Sequence, residues 1–207
     1  MTSRIHSILL TLSNHYKQMN NIYLSAYKTM ILFPPKLNCN KFIYGKVIEY
    51  EIINTLGKIF PYCIDLDNQC TTGSSYKNDC KIYISEDCIL PFSIKVCKSP
   101  SAITIINKNN ATKHDYVSDI KKMNFIILCI QKKRIYVFEH TNDLDEYLID
   151  KGPKVEYKNR IFKYLDQNYL YYDFQLSEED EKKILEYSEL DDIQVYEYIY
   201  NTFIQEE

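Results

Sequence analysis

The run Asp79-Cys-Lys-Ile-Tyr-Ile-Ser85, the polar pair Glu86-Asp87, and the run Ile89-Leu-Pro-Phe-Ser93-Ile-Lys95-Val-Cys97 decide how this chain is read. Two β-prone segments around a short polar turn predict a pair of adjoining strands. Residues two apart share a strand face, so Ser93 and Lys95 point one way while Phe92, Ile94 and Val96 point the other. An ammonium flanked by such an apolar run loses hydration unless a carboxylate lies near. Asp79, at the start of the preceding strand, is the expected partner.

A third group lies upstream. The segment Lys41 to Leu56 has helical periodicity, and Gly45, Ile52, Ile53 and Leu56 fall on the face that carries Glu49. Glu49 is therefore expected to point toward the core or a cleft. An inward glutamate, a strand-initial aspartate and a strand lysine can together hold a divalent metal and a phosphate. Mg²⁺ takes oxygen ligands and commonly uses one or two carboxylates plus phosphate oxygens. A lysine beside it can stabilise charge on a scissile phosphate or orient an attacking water.

In this order (helix with Glu49, strand with Asp79, hairpin, strand with Ser93 and Lys95) the residues resemble the PD-(D/E)XK, or restriction-endonuclease-like, nuclease superfamily. The resemblance covers roughly residues 40 to 140. It implies an α/β fold with a central mixed β-sheet flanked by helices, and hydrolysis of DNA phosphodiesters with Mg²⁺ or Mn²⁺. Asp79 matches the motif aspartate, Lys95 the motif lysine, and Glu49 the acid of the first core helix, so Glu49 and Asp79 are the implied metal ligands. Asn78 stands where the motif has proline. Ser93 stands where it has Asp or Glu and offers only a hydroxyl or its backbone, with Glu86 or Asp87 as compensating acids. The same residues also have an ordinary structural reading: Asp79 as a turn residue, Lys95 extending from a sheet edge, and Glu49 as a solvated helical acid. A rival function is a non-enzymatic protein, viral in one version, that binds nucleic acid or protein on such a scaffold.

A chain of 207 residues fits one domain of ordinary size, and no apolar run is long enough to span a membrane. The N-terminal segment is expected to be an amphipathic helix rather than a signal peptide, which makes the protein soluble and intracellular, cytoplasmic or nuclear. Seven cysteines without Cys-x-x-Cys spacing point to free thiols in preference to zinc or disulfides. Abundant Ile, Asn, Lys and Tyr fit an A+T-rich genome, so the 20 tyrosines are not automatically a base-stacking surface.

Charge is distributed unevenly. Residues 1–164 carry 23 Lys+Arg against 15 Asp+Glu, and residues 165–207 carry 2 against 13. A basic body is the footprint of a nucleic-acid binder, and Lys98, Lys132, Lys133 and Arg134 are its candidate contacts, with a solvated turn as the plain alternative for the last three. The acidic end could shield that surface, meet a basic protein partner, or solvate a terminal helix. A homodimer is compatible with all of this.

Three segments are expected. Residues 1–38 form one or two helices that stop before Pro34-Pro35, residues 39–142 form the nuclease-like α/β core, and residues 143–207 form a mostly helical acidic extension packed on it. Within the core, Gly57 is expected to cap the Glu49 helix, a first strand to run from Ile59 to Leu66, and residues 67–78 to form a polar loop. Residues 102–107 are read as a strand or turn, and 115–123 as a short helix. Phe125-Ile-Ile-Leu-Cys-Ile130 is read as a strand buried on both faces, paired with 135–138. In the extension, helices are expected near 143–151, 159–165, 178–187 (opened by a Ser177–Asp180 capping motif) and 191–204.

Overall fold

The computed structural model describes residues 2–32, 41–60, 63–65, 79–85, 88–107, 116–190, 194 and 197. The apolar run of residues 125–130 becomes the interior strand. β5 (Asn124–Cys129) is buried along its whole length and lies between β3 (Cys88–Cys97), to which it is parallel, and β6 (Arg134–Glu139), to which it is antiparallel. The main sheet is mixed and six-stranded, in the order β1 (Cys63–Asp65), β2 (Cys80–Ser85), β3, β5, β6, β9 (Tyr171–Asp173). The chain is thus α/β with a mixed sheet flanked by helices.

Strand alternation divides the core into two layers. Phe92, Ile94, Ile126, Leu128, Ile135 and Val137 pack with α1 (Thr2–Asn14), α2 (Tyr16–Leu32) and α3 (Lys41–Ile59). Phe125, Ile127, Cys129, Tyr136 and Phe138 face the other way, toward α4 (Tyr116–Ile120), α5 (Ile161–Gln167) and a small antiparallel sheet. That sheet has the order β4 (Ile103–Asn107), β8 (Lys154–Tyr157), β7 (Leu148–Asp150). Burying each of these large side chains contributes roughly 1.5–3 kcal/mol. The register Ser93↔Phe125 and Lys95↔Ile127 fixes which face the two polar residues of β3 occupy.

Several boundaries differ from expectation. α3 runs through Gly57 to Ile59, because Leu56, Ile59 and Phe60 are all buried and their packing outweighs the glycine. The expected strand from residue 59 is reduced to Cys63–Asp65 among the described residues. Residues 66–78, Glu86 and Asp87 lie outside the described residues, as does the 191–204 helix apart from Gln194 and Glu197, both helical.

After residue 143 the helices expected near 159–165 and 178–187 form, whereas the one expected over 143–151 does not, and three short strands join them. Asn142–Tyr147 is a 3-10 turn, and β7, β8 and β9 follow, with α5 and α6 (Glu178–Glu189) the helices. Short strands of three or four residues are set by their partners more than by their own sequence. The Ser177 capping box does form, with Asp180 N–H donating to Ser177 Oγ at 3.2 Å and Ser177 N–H donating to Asp180 Oδ2 at 2.9 Å.

Candidate active site

Asp79 precedes β2 and already belongs to the ladder, since its N–H donates to the Phe92 carbonyl at 2.7 Å. Its side chain turns back onto β3. There Oδ2 accepts from the Ile94 N–H at 2.6 Å and from the Ser93 hydroxyl at 3.1 Å. The Lys95 ammonium stands 3.8 Å from the same oxygen, an ion pair beyond direct hydrogen-bond reach. Ser93 is buried, so its hydroxyl acts as an orienting donor to Asp79. It takes the role of a strut at the position where the resembled motif has an acid.

Glu49 comes from α3 and lies near enough for Asp79 and Lys95 to act on its charge. Ile48, Ile52, Ile53 and Leu56 bury the helix around it, and the residue is 9% exposed. Burial, and next the charge of Asp79, push its carboxyl from 4.5 up to about 7, while Lys46 and Lys95 pull it back. The charges of both Asp79 and Lys95 act on Glu49, so the two acids and Lys95 lie within electrostatic reach of one another. Lys46, one turn before Glu49, donates to Glu49 Oε1 at 2.6 Å. Sequence reading missed Lys46. The i, i+3 spacing to Glu49 was the available signal.

Comparison with protein-family models, characterised proteins and solved structures finds no match.

The four candidate nucleic-acid contacts are placed differently from one another. Lys98 is exposed just beyond β3, and no described carboxylate pairs with it. Lys132, Lys133 and Arg134, in and after the β5–β6 turn, are each held by an acid from the C-terminal part. Lys132 pairs with Asp166 at 2.6 Å, and Lys133 with Glu181 at 2.5 Å. Arg134 pairs with Asp166 at 2.9 Å and with Asp173 at 2.5 Å, and its guanidinium lies 3.9 Å from the Tyr171 ring centroid. The acidic end therefore neutralises this turn within the molecule.

Two further clusters are polar and buried. Glu156 on β8 is 3% exposed, accepts from Thr104 at 3.0 Å, and pairs with Lys151 at 2.6 Å and with Lys154. His140 lies between the Tyr157 hydroxyl and Asp145 Oδ1, 2.5 Å and 2.9 Å from its two ring nitrogens. Its burial lowers its proton affinity. The Glu156 contacts lie within the small sheet and its β7–β8 turn, whereas His140, just after β6, ties Tyr157 of β8 to the main sheet. Among the described residues Cys80, Cys88, Cys97 and Cys129 form no disulfide, and no three His, Cys, Asp or Glu side chains group as a metal site. No described helix is long and apolar enough to cross a membrane.

Proposed function

We propose that the chain is a nuclease-like protein whose mixed sheet is a restriction-endonuclease-like core, and that Glu49, Asp79 and Lys95 serve phosphodiester hydrolysis in DNA. The observation that carries this reading is the convergence of the three groups, from α3, the start of β2 and β3, with Asp79 Oδ2 held by two β3 donors and facing Lys95. Isolated surface residues have no reason to converge in this way.

The donor set suits a hard divalent cation. Each carboxylate keeps one oxygen to which the described residues supply no hydrogen bond. Glu49 and Asp79 would hold Mg²⁺ or Mn²⁺, and the ion when bound would supply neutralisation of phosphate charge. Ser93 and the Ile94 N–H fix Asp79, and Lys95 places a positive charge where a phosphate oxygen gains negative charge. Glu49 keeps its proton into the neutral range, and it must release that proton before it can act as a ligand. The absence of disulfides among the four described cysteines fits a reducing, intracellular compartment.

One observation favours a second reading. Lys46 and Lys95 already balance the two acids, and this closed charge network also suits a binding protein that keeps the scaffold without the chemistry. Plasmid cleavage with Mg²⁺ or Mn²⁺ separates the two. The enzymatic reading expects metal-dependent cutting that Asp79→Ala and Lys95→Ala abolish. Cutting unchanged in both variants, or none by the wild-type protein across several substrates, leaves the binding reading.

A further inference from the structure

A cavity of about 450 Å³ lies at the carboxyl ends of the parallel strands β3 and β5, where the reading above assigns nothing. It is lined by Tyr23 and Tyr27 of α2, Lys98 and Ser99 after β3, and Ile130 and Gln131 after β5. In α/β sheets the crevice beyond the carboxyl ends of parallel strands is a habitual ligand site. The volume falls within the roughly 300–1,000 Å³ common for small-molecule pockets.

The walls are fixed from within. Ile130 N–H donates to the Cys97 carbonyl at 3.0 Å and Gln131 N–H to the Lys98 carbonyl at 2.9 Å, so the ladder continues under the cavity. The Tyr23 hydroxyl donates to the Ile130 carbonyl at 3.0 Å, and the Tyr27 hydroxyl meets Ser188 of α6 at 2.7 Å. The two rings stack 6.2 Å apart at 29°. Beside them Lys98 stands exposed without a described carboxylate, whereas the neighbouring cations Lys132, Lys133 and Arg134 are all paired. An aromatic wall, an uncommitted ammonium, a hydroxyl and an amide together call for a planar, hydrogen-bonding, anionic ligand.

We propose that this cavity binds one nucleotide, its base against Tyr27 and its phosphate on Lys98. Aromatic side chains stack on any base, and an ammonium on an open stem suits a phosphate. The choice of a nucleotide among aromatic anions rests on the nuclease-like reading. The nucleotide is either free or part of a single strand.

The test is calorimetric titration of the full chain in EDTA, so that no divalent cation or cleavage enters the readout. The probes are dAMP, deoxyadenosine, inorganic phosphate and a pentadeoxyadenylate. The expected result is saturable dAMP binding, with Tyr27→Leu and Lys98→Ala each weakening it roughly tenfold or more and Tyr27→Phe retaining it. Lys98→Ala leaves deoxyadenosine binding unchanged, and its exposed position keeps the fold out of the result. A pentamer no tighter than dAMP marks the free nucleotide as the source, and a pentamer at least about tenfold tighter marks a strand; both support the site. The proposal is overturned if neither dAMP nor the pentamer binds at millimolar concentration, or if either variant leaves the affinity unchanged. Nucleotide binding in a protein that cuts nothing sinks the enzymatic reading alone. Metal-dependent cutting without such binding sinks this inference alone.

Discussion

Replacing Glu49 by Gln changes the pH dependence of stability in a direction fixed by its surroundings. Burial and the charge of Asp79 raise the folded carboxyl from 4.5 to about 7. The folded state therefore keeps a proton that the unfolded chain has already released. That contribution is fully present below about 4.5 and is lost as pH rises through about 7. A displacement of this size corresponds to something on the order of 3 kcal/mol, and a side chain only 12% exposed leaves little of it to solvent screening. Glu49→Gln mimics the protonated acid at every pH. Urea unfolding of both proteins at pH 5 and pH 8 reads the effect. Relative to the variant, wild type should lose at least about 1 kcal/mol between those values, and Mg²⁺ at pH 8 should stabilise wild type but not the variant. A difference that stays flat with pH would show that Glu49 is solvated, and the inward placement of that side chain would be wrong.

Three other perturbations probe the framework. Asp166→Ala strips Lys132, Arg134 and the buried Tyr136 hydroxyl of a shared acceptor, so stability should fall by about 2–3 kcal/mol and elution from heparin should move to higher salt. Tyr169 is 72% exposed and holds φ +55 after α5, so Tyr169→Gly should raise stability by about 1 kcal/mol in thermal unfolding. Glu156, held down to about 2 first by Lys151 and then by Lys154, adds stability above about 4.5 that is lost as pH falls through about 2. Glu156→Ala should cost about 2 kcal/mol at pH 7 and less at pH 3, read by chemical unfolding at both values.

How much of this was legible in the sequence follows from how local each signal is. The alternation of Phe92, Ile94 and Val96 against Ser93 and Lys95, and the unbroken run 125–130, specify strands because their periodicity is carried by the residues themselves. The burial of Glu49 and the pairing of Asp79 with Lys95 were legible for the same reason: each residue sits at a definite phase of a helix or strand. β7, β8 and β9 were not, since three or four residues hold too little pattern and their pairing partners lie far along the chain. Gly57 misled because its local preference to end a helix is outweighed by burial of Leu56, Ile59 and Phe60. The pairing of the 132–134 turn with Asp166, Asp173 and Glu181 spans 32 to 48 residues, so the sequence carried only the charge asymmetry. Ser93 looked like a lost ligand, and its buried hydroxyl proves to be a donor to Asp79.

The most direct test of the central claim is a Mn²⁺ titration followed by electron paramagnetic resonance at pH 6, 7 and 8, on wild type, Asp79→Asn and Glu49→Gln. If the two acids share one cation, wild type should take up a single Mn²⁺ whose affinity climbs as pH rises toward 7 and levels off above it, with both variants losing that uptake. Uptake that ignores pH, or that survives in Asp79→Asn, would mean that Glu49 and Asp79 do not form a common site.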